Sequence, residues 1–125
     1  MSKNICSIHH CSVIVQDTQK SVRFYKEILG LDVNHERPDL GYPGAWLDVG
    51  SQQIHLLEVH DPDTESTRPQ HGGRDRHVAL LVESLANIIE KLDSNHCEYS
   101  LSKSGRRALF FRDPDGNAVE IIEKK

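Results

Sequence analysis

No apolar run in the sequence approaches the roughly 20 residues that span a bilayer, and the first ten residues, MSKNICSIHH, lack the apolar segment of a secretory signal. Both absences lead to the expectation of a cytoplasmic protein with no membrane partner. Cysteine is scarce: Cys6, Cys11 and Cys97 are an odd number without a CxxC pair, which excludes a disulfide framework and favours reduced thiols. Basic residues are outnumbered, 15 Lys and Arg against 19 Asp and Glu, and are scattered rather than gathered into a stripe. A net charge of −4 gives no electrostatic reason to expect a nucleic-acid partner. No low-complexity tract is present. What remains is a chain of 125 residues, 37% apolar and 27% charged. That is long enough to bury a core without staples and short enough for one domain. Histidine stands out, with eight in the chain.

The sequence reads as one unit written twice. Residues 8–15 alternate as a strand, Asp17 offers an N-cap, and Thr18–Leu29 carries Val22, Tyr25, Ile28 and Leu29 at helical spacing before Gly30, a C-cap glycine. Strands are predicted over 31–36, 44–49 and 53–58. The pattern returns as a strand over 77–84 ending in a Ser84 N-cap, a helix over Leu85–Asn95, and strands over 97–101, 106–112 and 117–123. Asp113-Pro114-Asp115-Gly116 predicts a tight turn between the last two. His10 and Asp17 match His77 and Ser84 at an offset of 67, and Ile54–Glu58 matches Val119–Glu123 at an offset of 65. The expected fold is α+β, two tandem βαβββ modules forming a curved mixed sheet around a cleft. Module one covers 5–59, a polar linker and candidate flap covers 60–75, and module two covers 76–125.

Alternation along strands selects four side chains. Cys11, Val13 and Val15 face the first helix, so His10 faces away. Val78, Leu80 and Val82 face the second, so His77 faces away. His55 and Glu120 lie opposite Ile54 and Leu56, and opposite Val119 and Ile121. Each half thus offers one ligand on its first strand and one on its last, all on the face free of helices. If the sheets curve about one cleft, His10, His55, His77 and Glu120 converge. Imidazole nitrogens with a carboxylate suit one divalent Zn, Ni, Co, Mn or Fe ion. His9 has the wrong parity and is expected to face outward. His35, His60, His71 and His96 are expected on loops, in solvent.

These residues resemble a known family. His10-x-x-Val13-x-Val15-x-Asp17 followed by Ser21–Leu31 (SVRFYKEILGL) resembles the opening of the vicinal oxygen chelate superfamily, which includes glyoxalase I, type I extradiol dioxygenases, fosfomycin-resistance proteins, methylmalonyl-CoA epimerase and bleomycin-binding proteins. Phe111–Asn117 with Val119-Glu120-Ile121 resembles its closing hairpin. Gly44-Ala45-Trp46-Leu47 with Ile54-His55-Leu56-Leu57 is similar to glyoxalase I family proteins of uncharacterised activity. The resemblance implies that His10, His77 and Glu120 match the recurrent two-histidine, one-glutamate set. His55 falls where glyoxalase I carries glutamate or glutamine. It further implies a metal-dependent lyase or isomerase working through an enediolate-type intermediate on a small oxygen-chelating substrate, with Glu120 as general base, His55 as a second base, and glutathione a candidate cosubstrate. Extradiol-type oxygen chemistry, fosfomycin-type thiol transfer and non-catalytic ligand binding are the alternatives it carries. Members of this size are often homodimers in which His10 and His55 of one subunit meet His77 and Glu120 of the other.

Arg74, Arg76, Arg106 and Arg107 fall near strand starts around the expected cleft; solvation is the default for each, and a substrate carboxylate the alternative. Trp46 and Phe110 occupy comparable places in the two halves; core packing is the default for both, and a substrate wall the alternative. Cys11 is expected as a small core residue.

Overall fold

The computed structural model describes residues 4–63 and 67–125. The chain runs β1 (His10–Ile14), α1 (Thr18–Leu29), β2 (Val33–Asn34), β3 (Gly44–Val49), β4 (Gln52–Leu57), a 3-10 turn (Gly72–Arg74), β5 (His77–Val82), α2 (Leu85–Ser94), β6 (Tyr99–Leu101), β7 (Ala108–Arg112) and β8 (Ala118–Glu123). Its two four-stranded sheets have the same order, β1-β4-β3-β2 and β5-β8-β7-β6. In each, the first strand pairs parallel with the last and the remaining pairs are antiparallel. This is the expected tandem βαβββ arrangement.

Local chemistry explains the element ends. Asp17 accepts from Lys20 N at 3.1 Å, and Gly30 closes α1 at φ 68°, with its N–H returning to Lys26 O. Ser84 stands at the head of α2 but makes no side-chain cap. Glu123, at the end of β8, does that work, accepting from Leu85 N at 3.0 Å. Glu58, just past β4, likewise accepts from Thr18 N at 2.8 Å. The duplicated glutamate at the end of each last strand is therefore a helix cap, a role the linear sequence hides because strand and helix are 40 and 38 residues apart. The strand predicted over 31–36 shortens to two residues because the Asn34 side chain accepts from Glu36 N, turning the chain.

Both helices cover the same side. Beneath them Val15, Tyr25, Ile28, Leu47, Ile54, Leu56, Leu92, Leu109, Val119 and Ile121 form one continuous buried cluster, with Cys11, Val13, Val78, Leu80 and Val82 packed against it. The strand parity is as expected. Neither helix among the described residues is long and apolar enough to cross a membrane.

Two polar networks tie the chain together, one between the modules and one between the linker and module two. In the first, Asp113, 5% exposed, accepts from Tyr25 Oη at 2.7 Å and from Asn117 Nδ2 at 2.9 Å, while its other oxygen takes the N–H groups of Asp115 and Asn117. Asn117 Nδ2 also donates to Ile14 O, and Asp115 accepts from Gln16 N. The turn of the last hairpin is thereby stitched to β1 and α1. Burial pushes the Asp113 carboxyl up against its hydrogen bonds, and pushes the Tyr25 phenol well up. In the second network, Asp75 accepts from Arg112 Nη1 at 2.7 Å and Arg68 Nη1 at 3.2 Å. Arg112 also donates to Pro69 O and Gly116 O. The segment expected as a flap is fastened to module two over its described residues beyond 67; residues 64–66 lie outside the described ones. Gly72 lets the 3-10 turn lie flat there, since a Cβ would stand 3.2 Å from Phe110 and 3.4 Å from Ala118.

Asp113→Ala leaves four donors without their acceptor and is expected to cost about 3 kcal/mol, against about 1–2 for Tyr25→Phe, both read from urea midpoints. Burial raises the Asp75 carboxyl, but the hydrogen bonds from Arg112, Arg68 and Arg76 N outweigh it and hold it at about 2. The folded value lies below the unfolded one, so this stabilisation is present above about pH 4 and is lost as pH falls toward 2. Asp75→Asn is expected to be less stable than wild type at pH 6, with the gap closing by pH 2 in paired urea titrations.

Candidate functional site

The register fixes where the four candidates stand. His10 is opposite Gln53 and Ser12 is opposite His55, so His10 and His55 are diagonal neighbours across the β1–β4 pair. His77 is opposite Ala118 and Ala79 is opposite Glu120, so His77 and Glu120 hold the same diagonal across β5–β8. On the adjoining strands, Trp46 pairs with His55 and Phe110 with Glu120. The duplication therefore reproduces a three-residue arrangement, His10/His55/Trp46 and His77/Glu120/Phe110, each on the face away from the helices. Trp46 and Phe110 both lie outside the cluster under the helices, Phe110 buried at 6% exposure and Trp46 half-buried. They stand on the open face because side-chain alternation pairs them with the ligand positions.

The second half is compact. Nε2 of His77 lies 3.2 Å from Oε1 of Glu120, whose side chain is 4% exposed, and Arg106 Nη2 reaches Oε2 at 3.2 Å. Phe110 meets the His77 ring edge to face at 5.2 Å. Nδ1 of His77 lies 2.8 Å from the main-chain oxygen of Asp75. A carbonyl can only accept, so Nδ1 carries a proton and the neutral ring presents a lone pair at Nε2. That lone pair and a carboxylate oxygen then face each other at 3.2 Å, an arrangement that calls for a proton or a cation between them. Two donors cis to each other on an ion with bonds of about 2.1 Å stand roughly 3 Å apart. On this chemistry the His77–Glu120 pair fits a divalent metal.

The first half is a stack of rings. Trp46 lies on His55 at 4.7 Å and 11°, and His55 lies on His10 at 3.8 Å and 16°. Nε2 of His55 donates to Gln53 Oε1 at 2.8 Å, leaving Nδ1 with the lone pair. Burial, then His10, His9 and Arg37, push the His55 imidazole below its ordinary value. The neutral form, which can ligate or take up a proton, is favoured. His9, expected to face outward, instead meets His10 with Nδ1 to Nδ1 at 2.9 Å. Parity failed there because β1 begins only at His10, so His9 is not bound by strand alternation. His71 is likewise held rather than solvated: it accepts from Gly73 N, contacts Leu101 O at 3.1 Å and packs on Phe110.

Among the described residues, no three His, Cys, Asp or Glu side chains come close enough within one chain to enclose a metal. The four candidates form two pairs, one per module. Of the arginines, Arg76 pairs with Asp63 and Arg107 with Glu123, and Arg106 is on Glu120. A cavity of about 420 Å3 beside the second pair is lined by Arg74, Lys103, Arg106, His77, Phe110 and Glu120 among others. Arg106, Gln53 and His9 are site neighbours that sequence pattern did not single out as partners of specific ligands.

The pattern of the Glyoxalase/Bleomycin resistance protein/Dioxygenase superfamily matches residues 7–121. The chain is 35% identical over 125 residues to "Uncharacterized protein YwkD" of Bacillus subtilis, covering 94% of this chain and 97% of that one. It is 30% identical over 123 residues to "Glyoxylase I 4" of Arabidopsis thaliana, covering 94% and 71%, and 28% identical over 123 residues to "Lactoylglutathione lyase" of Escherichia coli O157:H7, covering 93% and 91%. The fold is similar to that of a putative glyoxalase family protein from Bacillus anthracis, with a TM-score of 0.80 at 22% identity over all of both chains. It is also similar to that of a fosfomycin resistance protein from Listeria monocytogenes solved with Mn(II) and sulfate, with a TM-score of 0.74 at 16% identity over 97% of this chain and 92% of that one. A match over this span of the chain, arriving on a duplicated βαβββ fold, makes the protein a member of the glyoxalase/bleomycin resistance/dioxygenase superfamily, the vicinal oxygen chelate proteins.

Proposed function

We propose that the chain is a divalent-metal-dependent lyase or isomerase of the glyoxalase I type, acting on a small substrate that presents two neighbouring oxygens. The observation that carries this reading is the His77–Glu120 contact at 3.2 Å, with a lone pair and a carboxylate facing one another on the open face. His10, His55, His77 and Glu120 are the residues that would hold the metal, be it Zn, Ni, Co, Mn or Fe. A bound divalent ion supplies positive charge to an oxyanion developing on the substrate. Glu120 is the general base: Arg106 donates to its outer oxygen and fixes the orientation of the buried carboxylate toward a proton on carbon. His55, whose single lone pair is at Nδ1, is the second base where that lone pair is not given to the metal. Trp46 and Phe110 supply the walls. Arg74, Lys103 and Arg106 in the adjoining cavity suit an anionic tail such as a glutathione carboxylate.

Because the two pairs lie in separate modules and do not meet within one chain, the complete site in this proposal is shared between two copies. His10 and His55 come from one protomer, and His77 and Glu120 from its partner. An isologous dimer then holds two equivalent sites.

Three measurements test this. Protein purified without a nickel column is expected to hold close to one metal per chain by elemental analysis. His77→Ala should lose most of it and His96→Ala should keep it. Mixing the His10→Ala and His77→Ala proteins under subunit exchange is expected to restore about a quarter of the wild-type metal, since half the dimers then contain one intact site of two. No recovery would place the ligands otherwise. Hemithioacetal isomerisation should appear with at least one of Ni, Co, Zn or Mn; inactivity with all four, in metal-loaded protein, rejects the reaction.

A further inference from the structure

We propose that Asp75 is a positioning residue for His77: its clamped carboxylate holds its own main-chain carbonyl in place, and that carbonyl fixes the His77 tautomer and ring angle. This rests on His77 being a metal ligand in the preceding reading.

The two ring nitrogens of a histidine are not equivalent, and the bond made by one decides what the other offers. Here the Asp75 oxygen accepts from Nδ1 of His77 at 2.8 Å. The Asp75 main chain is itself held from both sides: its N–H donates to Gly72 O at 3.0 Å, and its carboxylate accepts from Arg76 N at 2.8 Å. The same carboxylate, 8% exposed, takes Arg112 and Arg68. Arg112 in turn spans Gly116 O at 2.7 Å and Pro69 O at 2.5 Å. One guanidinium therefore locks the end of β7, the final turn and the inter-module segment around the carbonyl that orients the histidine. A buried carboxylate this well paired keeps a single geometry, and its main chain keeps it too.

The first module lacks the device. The residue two before His10 is Ile8, 71% exposed, and Nδ1 of His10 is met by the exposed side chain of His9 instead. The duplication copied the ligand but not its support, so the support is specific to the half that carries Glu120.

The test uses full-length protein with 15N-labelled histidine, first metal-free and then titrated with Co(II) against a competing chelator. Wild type should show Nδ1 of His77 uniformly protonated by long-range nitrogen–proton correlation. Asp75→Ala and Arg112→Met should give mixed tautomers and bind Co(II) about 10–100-fold more weakly. Asp75→Asn, which retains a hydrogen-bond acceptor for the arginines, should recover most of both. Tyr25→Phe is the control for lost stability and should move the melting temperature without changing tautomer or affinity. A pure Nδ1–H tautomer with wild-type affinity in both Asp75→Ala and Arg112→Met overturns the proposal. So does a loss no greater than that of Tyr25→Phe at matched stability. If Asp75→Ala does not fold, Arg112→Met and Asp75→Asn decide. If His77→Ala leaves Co(II) affinity intact, the ligand reading fails, and the tautomer measurement still decides the role of Asp75.

Discussion

Parallel pairing between the first and last strand of each module is the constraint from which the open face is built. In a parallel pair the register slides no further than the hydrophobic pattern allows, because a one-residue slip would turn every core side chain to solvent. Val13 opposite Leu56 and Val78 opposite Val119 fix that register. Once they do, His10 and His55 are obliged to be diagonal neighbours, and so are His77 and Glu120. Apolar packing under the helices thus determines which polar side chains meet on the far side. The glutamates at the ends of the last strands extend the same logic: Glu58 and Glu123 are carried by that register to the heads of α1 and α2, where unsatisfied N–H groups await an acceptor.

The hairpin turn does a different job in this chain from the one its sequence advertises. Asp113-Pro114-Asp115-Gly116 forms the expected reversal, but three of its polar groups leave the turn to bind the other module. Asp113 takes Tyr25, Asp115 takes Gln16 N, and Asn117, next along, reaches Ile14 O. The aromatic-rich helix signature and the acidic turn, recognisable separately as family marks, are two sides of one buried contact. Buried polar groups that satisfy each other in this way specify one relative placement of the modules, where apolar packing alone tolerates sliding.

Much of the fold was legible because it is periodic. The α1 limits, Thr18–Leu29, and those of β3 coincide with expectation, and the repeat made each half a check on the other. The site residues were legible by parity for the same reason. What could not be read was long-range or locally irregular. No spacing rule links Asp75 to Arg112 or Arg106 to Glu120, because these contacts depend on where loops return. For Trp46 and Phe110 the choice between core and substrate wall is decided by strand alternation on β3 and β7, which puts them beside the ligand positions. His9 escaped because alternation holds only inside a strand.

The two halves of the proposed centre are chemically unequal, and the inequality has a physical consequence. The second carries the only carboxylate, buried against Phe110 and tied to Arg106, with a histidine oriented by a main-chain carbonyl. The first carries stacked rings, with His55 shifted toward neutrality by burial and by its neighbours. A divalent cation held by both halves would meet carboxylate charge on the Glu120 side alone. In the proposed shared site, Glu120 and His55 would approach the substrate from different protomers. Duplication supplied two copies of one diagonal; divergence of a single position, histidine at 55 against glutamate at 120, gave the pair its direction.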